Sequence, residues 1–217
     1  MDKIGGEGEH GRFYTRDDWG KPDQPAIWSE TPSDISSHID FVLRGAEEVW
    51  GADDDTDIEY MYLWAMHHQG LEKLSPSQIR DAWVRHIYDE SQPTPYGEDE
   101  VGYQNFLWVS NQRAHTLMLE GELPPETAHP DNNPHGDMID AQLTTEIFGL
   151  LSPGAPDVAL DIAHLPIRTT GYGDAVLAAE FYVVMHALAA QEPRGGLSSV
   201  RLQAIAAQAR QYLPDSS

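Results

Sequence analysis

The amino-acid sequence predicts an all-α fold, and three observations lead to that prediction. Apolar residues recur three and four positions apart through most of the chain, as in the stretch 38–50. Ser75-Pro76-Ser77-Gln78 has the residues of a helix-capping box with proline at the first helical position. Strand signals are nearly absent, because Phe181-Tyr182-Val183-Val184 has β-propensity but lies among alanines without turn residues. We therefore expect about eight helices joined by irregular loops.

The elements follow from this periodicity in chain order. Residues 1–35 are rich in Gly, Asp, Pro and charge and predict an irregular polar lead-in, whereas residues 36–217 predict a single helical domain. Loops rich in Pro are expected at 89–98 and 120–136. The expected helices are 38–50, one from the acidic residues at 53–57 to about His68, one that opens at the capping box, 99–119, 137–150, 156–164, 174–190, and a final one lined by Val200, Ile205 and Ala209.

Composition excludes several classes of function. The chain has 217 residues, 36 Asp and Glu against 13 Lys and Arg, and a formal net charge of −23. The few basic residues are scattered, which argues against nucleic-acid and anionic-membrane partners. There is no cysteine, hence no disulfide or thiolate site. Without a signal peptide or an apolar run of about 20 residues, the sequence predicts a cytoplasmic protein.

The run Asp53-Asp54-Asp55-Thr56, followed by Asp57, is the most informative feature of the chain. Acidic residues in a first helical turn complement the helix dipole, so capping or a solvated loop is one interpretation. The helix that follows is apolar on nearly every face, which predicts burial all round. Buried carboxylates are paired, protonated or bound to metal, and oxygen-only ligands favour Mg²⁺, Ca²⁺ or Mn²⁺. A hard divalent cation is the second interpretation.

Two further places are candidates for ligand binding. Asp140 lies on the helix predicted at 137–150 with Gln142 and Glu146, and these polar residues either lie at the rim or form hydrogen bonds in the core, or they indicate that the helix lines the same pocket as the acidic run. Gly171-Tyr172-Gly173 precedes the start of another predicted helix, a place where backbone amides can bind phosphate. A Gly-x-Gly sequence alone is a weak signal, and a plain turn is the favoured interpretation of it.

Several segments, in order, resemble the ADP-ribosylglycohydrolase family over roughly residues 35–190. The acidic run resembles the family's first metal motif, usually Thr-Asp-Asp-Thr, in the Asp-Asp-Asp-Thr form of a bacterial branch. The downstream segments that resemble the family are SPSQIRDAWVRHI, GYQN at 102–105, NPHGDMIDAQLTTEIFGLLSPGAPDVALDIA and GYGDAVLAAEFYVVMHALA.

The resemblance implies an orthogonal multi-helix bundle with two Mg²⁺ ions in a cleft. It also implies hydrolysis that removes ADP-ribose from a modified protein or small acceptor, by metal-assisted attack of water at the ribose carbon. By position, Asp53, Asp54 and Asp55 would be metal ligands, with Asp54 and Asp55 catalytic. Asp140, Gly171, Tyr172 and Gly173 would be substrate-binding.

Two parts of the family pattern have no counterpart in the chain. Residues 1–35 do not match the family's first helix, which carries a cleft Glu, and its final Asp-x-Asp-Thr motif is missing. We therefore expect a partial member, a site completed by a second chain, or a site that binds the ions weakly or not at all. The alternative function is a catalytically impaired acidic helical module that binds ADP-ribose or a protein partner.

Overall fold

The computed structural model describes residues 54–87, 107, 109–193, 195 and 198–214, all within the compact unit Asp53–Ser217. None of these residues lies in a strand, so the all-α class is confirmed. Four features predicted from the sequence lie outside the described residues. They are the helix expected at 38–50, the first part of the helix expected at 99–119, Asp53, and the domain boundary between residues 35 and 36. The α-helices are α1 (Asp54–Gln69), α2 (Pro76–His86), α3 (Val109–Leu119), α4 (Asp140–Leu143), α5 (Ile147–Leu150), α6 (Pro156–Thr170), α7 (Asp174–Ala190) and α8 (Ser199–Ala209), with 3-10 turns at Glu126–Ala128 and Arg210–Tyr212.

Local sequence signals place several helix ends correctly. At the start of α2 the Ser75 hydroxyl accepts from the Gln78 amide and the Gln78 side chain accepts from the Ser75 amide, so the capping box is confirmed. Gly70, with φ of 62°, follows α1 in a left-handed conformation that favours glycine. The predicted 174–190 helix agrees with the bounds of α7.

The prediction of a single helix at 137–150 is wrong, because the structure has two short helices in this segment, α4 and α5. The hydroxyls of Thr144 and Thr145 donate to carbonyls four residues earlier, which is a known competitor of regular helix geometry. The amide of Ile147 then donates to the Glu59 carboxylate of α1 at 2.8 Å, so a distant side chain caps the second segment. Both effects interrupt the helix between residues 143 and 147.

Helix α6 runs further than the expected 156–164 and contains Pro166 in its interior. Proline in a helix removes one backbone hydrogen bond and costs about 3 kcal/mol in an exposed setting. Here Pro166 is buried, and Ala163 and Ile167 beside it belong to the main hydrophobic core. We infer that tertiary packing offsets the local cost of the proline.

Helix α7 lies at the centre of the described fold and contacts α4, α5, α6 and α8. Its buried alanines let neighbouring helices approach closely. Gly149 of α5 lies close to α7, because a Cβ added there would lie 2.3 Å from the carbonyl oxygen of Val183. Val184 and Leu188 pack against α8 in a second apolar cluster.

None of the described helices is long and apolar enough to cross a membrane.

Helix α1 buries one face only, so the expectation of burial all round is wrong. Ile58, Tyr62 and Ala65 are buried, whereas Tyr60 is 66% exposed. Inside the core the Trp83 indole donates to the Tyr62 hydroxyl at 3.1 Å. Burial raises the pKa of Tyr62 to about 12, and its side-chain hydrogen bonds with Thr169 and Trp83 oppose that shift. The first residue of α1, Asp54, is nevertheless buried, so the N-terminus of this helix lies in the interior.

Candidate functional site

Asp54, the first residue of α1, is buried and only 2% exposed. Its Oδ2 accepts a hydrogen bond of 2.9 Å from the side-chain amide of Asn111 in α3. Asp55 is half-buried and Thr56 is exposed, because successive helical residues project about 100° apart. Of the acidic residues predicted to bind metal, Asp54 is therefore the one whose side chain is fully buried in the described part of the chain.

Asp140, the first residue of α4, also forms a hydrogen bond with Asn111, through the backbone amide of that residue. It is 5% exposed, and its Oδ1 accepts from the backbone amide of Asn111 at 3.3 Å. Burial raises the pKa of the Asp140 carboxyl. Hydrogen bonds from backbone amides, those of Asn111 and Ser110 among them, and the nearby His135 oppose that rise. We call the three residues Asp54, Asn111 and Asp140 the Asn111 junction.

The position of Asn111 on α3 explains why it can serve both carboxylates. Asn111, Ala114 and Met118 lie three and four positions apart and are all buried, so they occupy the inward face of the helix. Asn111 also lies in the first turn of the helix as described, where backbone amides lack intrahelical partners. Its amide is thus available to Asp140 while its side chain reaches Asp54.

Neighbouring polar residues hold the start of α3 in place. The Ser110 hydroxyl donates to the carbonyl of Thr170 at the end of α6. Asn133 is fully buried, and its side-chain amide lies 3.1–3.3 Å from the carbonyl of Thr127 and from the carbonyl and hydroxyl of Ser110. The predicted loop at 120–136 is therefore tied to the helix that carries Asn111.

The Gly171-Tyr172-Gly173 turn has structural reasons for its composition. A Cβ on Gly171 would lie 2.6 Å from the Cβ of Ala141, and Gly173 has φ of 59°. The amide of Gly171 donates to Ile167 as the cap of α6, and that of Tyr172 donates to the carbonyl of Gly136 at 2.6 Å. Two of the backbone amides expected to bind phosphate are therefore already engaged. The Tyr172 ring is 48% exposed and contacts His129.

Sequence reasoning singled out Asp54 and Asp140 but missed Asn111, the residue that joins them. The available signal was a polar residue on the apolar stripe of a predicted helix, at the spacing of Ala114 and Met118. A polar residue at such a position is costly unless it is bonded, so it merits attention as a partner of other polar groups.

The junction fits a hard cation in part. Among the described residues, no group of three or more His, Asp or Glu side chains is arranged to hold a metal ion. The junction offers two buried carboxylates and an amide oxygen, Asn111 Oδ1, which is buried and accepts no hydrogen bond within the described structure. Oxygen donors of this kind suit Mg²⁺ or Ca²⁺. The two-ion site that the resemblance implies remains a prediction.

Comparison of the chain with protein-family models, with curated proteins and with solved structures finds no match.

Proposed function

We propose that the chain is a hydrolase of the ADP-ribosylglycohydrolase type, which removes ADP-ribose from a modified protein or small acceptor with the help of Mg²⁺. The observation that supports this function is the meeting of Asp54 and Asp140 on Asn111. These two acids come from two of the segments that resemble the family, the acidic motif and the central segment. Their proximity is what a single working site would require.

The charges of the protein and of the substrate explain the need for a cation. ADP-ribose carries a diphosphate, and the chain has a formal net charge of −23. Like charges repel, and the repulsion grows where water is excluded. Bound Mg²⁺ would neutralise the diphosphate and polarise the bond at the ribose carbon. Asp54 and Asp55 are the described residues that would hold it, with Asp53 outside the described part.

The chain's own residues have separate roles in this proposal. Asn111 orients the Asp54 carboxylate by donating to Oδ2, and its backbone amide holds Asp140. Water attacks the ribose carbon and the acceptor group leaves with a proton. The exposed ring of Tyr172 offers a face for the substrate at the turn that precedes α7.

Release of ADP-ribose is the direct test. Peptides ADP-ribosylated on Arg or on Ser, and an ADP-ribosylated small molecule, are incubated with the protein in Mg²⁺ or in EDTA, and free ADP-ribose is measured by chromatography. We expect hydrolysis of at least one substrate in Mg²⁺, and a loss of about a hundredfold or more in kcat/KM for Asp54→Asn. Asp137→Asn, which changes an exposed carboxylate three positions before Asp140, is the matched control.

The second candidate function is a binding module without turnover. It is favoured by the absence of a group of three metal-binding side chains from the described residues. ADP-ribose binding by calorimetry with no hydrolysis of any substrate would select this function. If the protein neither hydrolyses the substrates nor binds ADP-ribose, both functions are wrong.

A further inference from the structure

The Asn111 junction concentrates negative charge in the interior. Asp54 and Asp140 are 2% and 5% exposed and contact the same asparagine. Buried carboxylates require compensation from hydrogen bonds, counter-charges or metal. No Lys or Arg in the described part of the chain forms an ion pair with Asp140, and the nearby charge that acts on it is that of His135. Compensation for a charge on Asp140 therefore comes from backbone amides, those of Asn111 and Ser110 among them, and from His135.

The side-chain oxygen of Asn111 is a third candidate ligand atom of the junction. The side-chain nitrogen of Asn111 donates to Asp54 and its backbone amide donates to Asp140, so the side-chain oxygen belongs to a residue that contacts both carboxylates. This oxygen is buried, and no described donor reaches it. A buried acceptor without a partner is costly and uncommon in native proteins. A cation satisfies an amide oxygen and two carboxylates at the same time, whereas a hydrogen-bond donor would satisfy only one of them.

We propose that Asp54, Asn111 and Asp140 together hold one divalent hard cation, with Asn111 ligating through Oδ1. Asn111 and Asp140 would then supply oxygens in addition to that of Asp54 from the acidic run. Three protein oxygens with water in the remaining positions suit Mg²⁺ or Mn²⁺. The cation site stands on the geometry of the junction, and only its use in hydrolysis rests on the proposed function.

Binding of the metal alone tests the site. Mn²⁺ affinity is measured on the intact chain by electron paramagnetic resonance of the free ion, and Mg²⁺ affinity by calorimetry. We expect one site in the junction, weakened about tenfold or more in Asp140→Asn, because affinity follows the number of charged ligands. Asp137→Asn removes the same charge from the surface and should bind like the unmodified chain. Equal affinity in these two variants would overturn the proposal, as would a lack of binding by the intact chain.

Asn111→Asp separates ligation from a purely structural role. The substitution removes the hydrogen bond to Asp54 and adds a third carboxylate, so the variant should melt at a lower temperature in EDTA. If residue 111 is a ligand, Mg²⁺ should raise the melting temperature of Asn111→Asp more than that of the unmodified chain. A loss of stability that Mg²⁺ does not restore would show that Asn111 has a structural role only.

The two proposals fail in different ways. Cation binding that depends on Asp140, without release or binding of ADP-ribose, would refute the hydrolase and leave the cation site intact. Hydrolysis that Asp140→Asn and Asn111→Asp leave unchanged would refute the cation site and leave the hydrolase intact.

Discussion

Replacing Asn133 with Ala should be among the most damaging single changes in the described structure. Asn133 is fully buried, and its side-chain amide donates to the carbonyl and hydroxyl of Ser110 and to the carbonyl of Thr127. Its Oδ1 accepts from the amide of His135 at 3.1 Å. The substitution leaves two carbonyls and one amide without this partner, in a region from which water is largely excluded.

The cost can be worked out from these contacts. The two N–H groups and one oxygen of the Asn133 side chain make about three hydrogen bonds, each worth about 1 kcal/mol net, so we expect a loss of about 3 kcal/mol. With a urea slope of about 3 kcal/mol per M, the unfolding midpoint should fall by about 1 M. Asn132→Ala is the matched control, because its side chain makes one exposed bond, to Glu126, and should cost less than about 1 kcal/mol.

Urea unfolding followed by circular dichroism measures both variants. An Asn133→Ala midpoint equal to that of Asn132→Ala would refute the conclusion that Asn133 holds the loop onto α3. Because Ser110 directly precedes Asn111, we also expect weaker Mn²⁺ binding in Asn133→Ala under conditions where the protein remains folded. Unchanged Mn²⁺ affinity there would show that the junction does not depend on this support.

Three further predictions follow from the described contacts. Gly149→Ala should lower the unfolding free energy by about 2 kcal/mol or more, because the added Cβ would lie 2.3 Å from the carbonyl oxygen of Val183. Urea unfolding measures this loss, and an unchanged midpoint would contradict the close approach of α5 and α7. The pKa of Tyr62 is raised to about 12, so the contribution of this raised pKa to stability is complete below pH 10 and is lost as pH rises towards 12. Tyr62→Phe should therefore flatten the decline of the melting temperature with pH. An identical decline in the variant would contradict the raised pKa of Tyr62. Ser75→Ala should cost about 1 kcal/mol in thermal unfolding by removing the α2 cap, and a loss near zero would show that the cap is dispensable.

Much of the helical pattern was predictable because its signals are local. The capping box at Ser75 and the apolar alanine-rich run at 174–190 involve residues within one helix, and both predictions were confirmed. The errors arose where distant residues act. Glu59 of α1 caps α5 and helps divide the helix expected at 137–150, and packing of α6 carries that helix through Pro166.

The candidate site shows the same division. The charge repulsion within Asp53-Asp54-Asp55 is visible in the sequence, whereas the burial of Asp54 is seen only in the structure. The need for a partner was also visible, but its identity was not. Asn111 has no motif of its own, and it meets Asp54 and Asp140 only because three helices bring their first turns together.

The sequence by itself determined that this protein is helical, acidic and without cysteine, and that carboxylates begin the helix α1. Those properties depend on composition and on residues within a few positions of one another. Only the tertiary structure decided which of the described carboxylates of the acidic run is fully buried, and that Asn111 joins Asp54 to Asp140. Such contacts depend on how helices pack, and packing is governed by the shape and burial of the whole core rather than by any local run of residues.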